Sequence, residues 1–162
     1  MRLARDRSGY HAPSREDDAG ECWSADGRVG LERRLLANTN LSLAGHQPMK
    51  CEVGELCTVF KGATHNFTDL RGELASKGHT FRPQSDTEVI LAAYFEWDTD
   101  CLLRLKGVFA LALSDGRQGR PIMVRGRVGE DSLYYVLIHG SIYFAFELKG
   151  LMAAPVLNDR RD

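Results

Sequence analysis

The chain has 162 residues, 43% hydrophobic and 27% charged, with a formal net charge of -1. That length fits one domain with an ordinary buried core, and the near-zero charge gives no electrostatic basis for nucleic acid or an anionic membrane as a partner. No apolar run approaches the roughly 20 residues needed to span a bilayer, and the polar, Arg-rich start lacks the apolar stretch of a secretory signal, so a cytoplasmic location is expected.

Residues 1–27 are rich in Arg, Asp, Ser and Gly and read as a polar, flexible segment. Arg2, Arg5 and Arg7 fit a solvated tail better than a nucleic-acid contact. Structured patterning starts at Arg28 and defines an expected domain over 28–154, followed by a polar tail over 155–162. Residues 28–36 predict a strand, and residues 38–49 carry the Asn, Ser, Gly and Pro of loops. The apolar run from Leu56 to Phe60 predicts a buried strand ended by Gly62.

Two helices follow. Asn66 is placed to cap a helix over 67–77, with Phe67, Leu70 and Leu74 on one face and Gly78 as its stop. Ser85-Asp86-Thr87-Glu88 is a capping box opening a helix over Asp86–Trp97, where Val89, Ile90, Ala93, Tyr94 and Trp97 recur at helical spacing. A short helix over 101–105 closes before Gly107. Strands are predicted at 108–113, 122–125, 133–139 and 142–146, with turns at Asp115-Gly116 and His139-Gly140-Ser141. Residues 147–152 predict a terminal helical turn. Strands, then helices, then strands indicate an α+β fold rather than a parallel sheet. The four cysteines, Cys22, Cys51, Cys57 and Cys101, contain no C-x-x-C pair. They read as reduced thiols with ordinary packing roles, and no metal site is expected.

Several segments, in order, resemble one family. Ala44-Gly45-His46-Gln47-Pro48-Met49, Asn66-Phe67 with Leu70-Arg71 and Leu74, Gly78-His79 with Phe81, Ser85-Asp86-Thr87-Glu88-Val89, Leu91-Ala92-Ala93-Tyr94, Arg104-Leu105 with Gly107, Leu133-Tyr134-Tyr135 and Glu147-Leu148-Lys149 are similar to the motifs of the class II glutamine amidotransferase domain of asparagine synthetases. The resemblance runs from about residue 17 to residue 151, most of the chain. It implies an N-terminal-nucleophile hydrolase fold, an αββα sandwich of two antiparallel sheets, here expected to lack its first strand.

The same resemblance implies a chemistry. In the family an N-terminal cysteine, with its own α-amine as base, attacks the glutamine side-chain amide. An Asn side chain and a backbone N–H stabilise the oxyanion, and the ammonia passes to a separate ATP-using domain that makes asparagine. No cofactor is implied for this domain; ATP and Mg belong to the synthetase domain, whose pyrophosphatase motif is absent here. The implied partners are glutamine or a related amino acid and an ATP-using asparagine synthetase domain.

Several positions depart from the family pattern. The sequence opens Met1-Arg2-Leu3, so no catalytic cysteine is assigned, and the chain is expected to be truncated and catalytically impaired. Lys61 stands where the family has its oxyanion Asn, and Ala63 where it has the Glu that holds the substrate amine. A flexible lysine is a poor substitute for a fixed amide donor. Gly62 is retained. By resemblance, Arg34 binds the glutamine carboxylate and Asp86 its amine; a solvated strand residue and a helix-terminal charge are the ordinary readings of these two. Gly126 replaces a family Asp, and Asp131-Ser132 replace Lys-Pro. Cys22, Cys51 and Cys57, with His46 or His65 as base, are the remaining candidates for a substitute nucleophile. The alternative to an impaired glutaminase is a non-catalytic module that keeps the fold to bind an amino acid or a synthetase partner.

Overall fold

The structure, a computed structural model, describes residues 18–35, 47–51, 55–81, 86–126, 131–154 and 157. In chain order these form β1 (Asp18–Trp23), β2 (Gly30–Leu35), β3 (Met49–Cys51), β4 (Leu56–Thr64), α1 (Phe67–Ser76), α2 (Asp86–Trp97), a 3-10 turn (Asp98–Asp100), α3 (Cys101–Arg104), β5 (Gly107–Asp115), β6 (Arg120–Arg125), β7 (Tyr134–Ile138), β8 (Ser141–Ala145) and α4 (Leu148–Met152). Pairing is antiparallel throughout: one sheet in the order β3-β4-β5-β6, and two hairpins, β1-β2 and β7-β8.

The centre is the β4–β5 ladder, whose apolar residues point both ways. Leu56 and Phe60 of β4, with Phe109, Leu111 and Leu113 of β5, pack against Leu70 and Leu74 of α1 and Val89, Ile90, Ala93 and Tyr94 of α2. Cys57, Val59 and Ala112 point to the other face and meet Cys22, Val29 and Leu31 of the first hairpin, with Ile142 and Phe144 of the last. Large side chains thus fill the helix side, whereas small ones allow the strand layers to approach closely. Burial on both faces explains why these strands read as continuous apolar runs rather than alternating ones. Helix α4 adjoins β8, where Leu151 is buried.

Several expectations change. Residues 18–23 are a strand, not loop, because pairing with β2 satisfies their backbone and buries Cys22. Gly62 does not end β4; the strand runs on to Thr64, with Gly62 opposite Phe109. Asn66 precedes α1 but makes no side-chain cap. Its amide instead donates to the Arg104 carbonyl at 2.9 Å and accepts from the Lys106 N–H at 2.9 Å, tying α1 to the segment before β5. Met49, expected as the end of a loop, instead opens β3, which forms by pairing with β4. Helix α2 spans the expected residues, while Ser85 of its capping box and residues 38–46 lie outside the described residues. Gly78 follows α1 at φ 98°, the left-handed stop its sequence predicts.

Candidate functional site

The exposed end of β4 carries the altered positions. Burial is interrupted after Phe60: Lys61 is half-buried and Gly62 and Ala63 are exposed, before Thr64 is buried again. Gly62 has φ 107°, a left-handed backbone that only glycine adopts easily. A Cβ there would strike the Val108 carbonyl oxygen and the Asp131 carboxylate and fall 2.8 Å from the Phe109 Cα. Asp131 therefore brings a carboxylate against Gly62. The Lys61 ammonium lies 3.5 Å from Oε1 of Glu147, the residue just before α4. Their side chains are 37% and 71% exposed, so the pair is weak and easily opened.

Gln47 ties this strand end to α2. The residue is buried, and its Oε1 accepts from the Phe60 N–H at 2.7 Å while its Nε2 donates to the Thr87 hydroxyl at 3.3 Å. Phe60 immediately precedes Lys61, and Thr87 immediately follows Asp86. One amide thus holds the Lys61-Gly62-Ala63 segment beside the N-terminus of α2, where Asp86 sits half-buried in the first turn. The Gln47-Pro48 peptide is cis, and β1 lies against it: a Cβ on Gly20 would fall 2.5 Å from the Gln47 oxygen and 2.8 Å from Pro48 Cδ.

The predicted residues separate accordingly. Lys61, Gly62, Ala63 and Asp86 belong to one neighbourhood organised by Gln47. Arg34 is placed by its backbone in β2, opposite Ala19, on the hairpin that covers the other face of β4. Sequence reasoning quoted Gln47 and Glu147 only as parts of motifs and gave neither a role. Nothing in the residue pattern of that motif singles out Gln47. His65 follows β4, its N–H on the Lys106 carbonyl at 2.7 Å, and His46 lies outside the described residues. Cys22 and Cys57 are buried in one apolar cluster, and no histidine is among the described residues of that cluster. Among the described residues no group of His, Cys, Asp and Glu is arranged to hold a metal ion, and no helix is long and apolar enough to cross a membrane.

A second polar cluster occupies the far end of α2, about 18 Å away for a helix of this length. The Asp115 carboxylate is fully buried and accepts from the Tyr94 hydroxyl at 2.9 Å, from Arg117 Nε and Nη2, and from the N–H groups of Arg117 and Gln118. Burial alone would raise its pKa, but Arg117, Tyr94 and the Gln118 N–H outweigh burial and hold the carboxyl below its ordinary value. Burial, only partly offset by Arg120, pushes the Tyr94 phenol up to about 12. A cleft of about 440 Å³ beside Phe95, Trp97, Arg104 and Arg117 lies at this end, remote from Lys61.

Gln47 offers a direct test of this geometry. Gln47→Leu keeps a similar size but removes the buried acceptor of the Phe60 N–H and the buried donor to the Thr87 hydroxyl. It should lower stability by roughly 2–4 kcal/mol in urea unfolding with an unchanged m-value. A loss below about 0.5 kcal/mol would show that the amide is not the tie described.

Solved structures share the architecture. The glutamine phosphoribosylpyrophosphate amidotransferase from Bacillus subtilis complexed with ADP and GMP matches with a TM-score of 0.63 over 78% of this chain and 29% of that chain, at 20% identity. An allosteric regulatory enzyme of purine biosynthesis gives 0.65 over 82% and 30%, also at 20% identity. The class is therefore the α+β, N-terminal-nucleophile amidotransferase fold. The chain belongs to the glutamine amidotransferase domain family, whose model matches residues 3–162. Within it the domain is of the asparagine synthetase type. It is 38% identical over 120 residues to the glutamine-hydrolysing asparagine synthetase 3 of Bacillus subtilis (73% of this chain) and 36% identical over 129 residues to asparagine synthetase 1 of the same organism (80% of this chain). The chain spans 20% of the length of each of these relatives.

Proposed function

We propose that this domain keeps the glutamine-binding geometry of its family, while the part of the site that stabilises the oxyanion is impaired. In this reading the glutamine α-amine faces Asp86 and its side-chain amide lies at Gly62, while the assignment of its α-carboxylate to Arg34 rests on the resemblance alone. The observation that carries it is the end of β4, where a fixed amide donor is replaced by the Lys61 ammonium held by Glu147 at 3.5 Å. An ammonium on a four-carbon stem is not preorganised toward a developing oxyanion, and loss of one such donor slows turnover by roughly 10²–10³-fold. Ala63 removes a carboxylate from the amine subsite, and Asp131 adds a negative charge beside Gly62.

A second reading is a non-catalytic module that binds an amino acid or docks on an ATP-using asparagine synthetase domain in the cytoplasm. The open Lys61–Glu147 pair favours the amino-acid form, because the ammonium can turn from Glu147 to a ligand carboxylate. Glutamate release and ligand-dependent thermal shifts separate the two. The impaired-glutaminase reading expects a shift with glutamine, enlarged when Lys61→Asn and Ala63→Glu are combined, and no glutamate release above buffer. A larger shift with glutamate than with glutamine, lost in Lys61→Asn, selects the binding module. Turnover abolished by a thiol alkylator would overturn both.

A further inference from the structure

The two buried thiols between the strand layers are a site of their own. Cys22 of β1 and Cys57 of β4 are 6% and 3% exposed and belong to the same apolar cluster as Val29, Leu31, Val59 and Ala112. They sit on opposing layers of that cluster, close enough for each thiol to perturb the other. Lys50, the cross-strand neighbour of Cys57, places a positive charge near both. We propose that Cys22 and Cys57 are a peroxide-oxidisable dithiol that closes a disulfide between the β1–β2 hairpin and β4.

The two sulfurs have different roles. Cys57, helped by Lys50 and opposed by burial, holds the Cys22 thiol below its ordinary value, whereas Cys57 is pushed well above its own by Cys22 and by burial. Cys22 is thus the more readily ionised sulfur and the first to react. Its thiolate attacks one oxygen of hydrogen peroxide, an oxidant small enough for a buried site. The O–O bond breaks, the departing hydroxide takes up the thiol proton as water, and Cys22 becomes a sulfenic acid. The Cys57 sulfur then attacks Cys22 Sγ, the S–O bond breaks, and the second hydroxide leaves as water with the Cys57 proton. Two thiols are oxidised to one disulfide while one peroxide is reduced to two waters. The crosslink forms when packing within the cluster brings the two sulfurs to about 2 Å. The other cysteines are not placed for this. Cys51 and Cys101 pack against the helix-side cluster, and burial pushes Cys101 up to about 12.

The crosslink would join β1, which abuts Gln47-Pro48, to the strand that carries Lys61 and Gly62. Peroxide treatment of the full chain, followed by alkylation and non-reducing peptide mass mapping, tests it. The expected product links Cys22 to Cys57 and lowers the intact mass by two hydrogen atoms. Dithiothreitol reverses it, Cys51 and Cys101 remain alkylatable, and Tm rises by roughly 5–10 °C. In Cys57→Ser the reaction should stop at a Cys22 sulfenic acid that dimedone captures. A crosslink to Cys51 or Cys101, sulfinic acids without a crosslink, no change in the wild-type chain, or a Cys22–Cys57 crosslink that leaves Tm unchanged or lower would each overturn the proposal.

Discussion

Gly62→Ala should be among the most damaging single-methyl additions in this protein, with a loss of roughly 3–5 kcal/mol. Two independent effects combine. The φ of 107° is a region an L-residue enters only with strain, and the added carbon meets backbone on the paired strand, the Val108 carbonyl and the Phe109 Cα. Backbone locked in the β4–β5 ladder cannot turn aside as a side chain can; of the three contacts only the Asp131 carboxylate is free to move. Gly72, inside α1 with open space around it, is the internal control. Alanine there should stabilise by up to about 1 kcal/mol, since glycine is a poor helix former. Thermal melts of the two variants should therefore move in opposite directions. Equal shifts would mean that the β4 end has no special conformation, and the oxyanion argument built on Gly62 would fall with it.

Removing the Asp115 carboxylate should rank beside it. Asp115→Ala takes the acceptor from the Tyr94 hydroxyl, from two backbone N–H groups and from Arg117. Arg117 is 34% exposed and can turn to water, so the penalty lies mainly in the buried Tyr94 hydroxyl, with a smaller share from the part-buried turn amides, about 3 kcal/mol in all. Tyr94→Phe should be milder, about 1 kcal/mol, because the carboxylate keeps its other donors. The pH dependence has a definite sign. The folded Asp115 pKa lies below its ordinary value of 3.8, so the native state holds fewer protons than the unfolded chain between the two values. Its stabilisation is complete above the unfolded value and is lost as pH falls through 3.8 toward the folded value. Asp115→Asn should remove that part of the acid-induced loss while leaving the profile above about pH 5 flat. An acid limb unchanged in Asp115→Asn would show that the carboxylate does not titrate as its partners require.

Most elements were legible because their signals are local. The spacing of Val89, Ile90, Ala93 and Tyr94 specifies α2 to the residue, and Gly78 specifies the end of α1. The His139-Gly140 turn, both residues at positive φ, specifies the last hairpin. The misreadings arose where a distant partner decides. Residues 18–23 carry no strand signal of their own and become a strand only against β2. Gly62 has the look of a stop, but the ladder with β5 carries β4 through it. Asn66 reads as a cap until α3 offers its amide a carbonyl.

The site divides in the same way. From residue identity alone the chain declares its family, and the resemblance marks Lys61 and Ala63 as the positions where departures from the family motif are expected. Only the tertiary structure supplies their surroundings: Gln47 bridging β4 to α2, Glu147 reaching Lys61 across 86 positions of chain, Asp131 against Gly62, and Cys22 against Cys57. Periodicity and turn chemistry act over a few residues and can be read in order along the chain. Hydrogen bonds and charge pairs act over a few ångströms of space, and which residues share that space is decided by the packing of the layers.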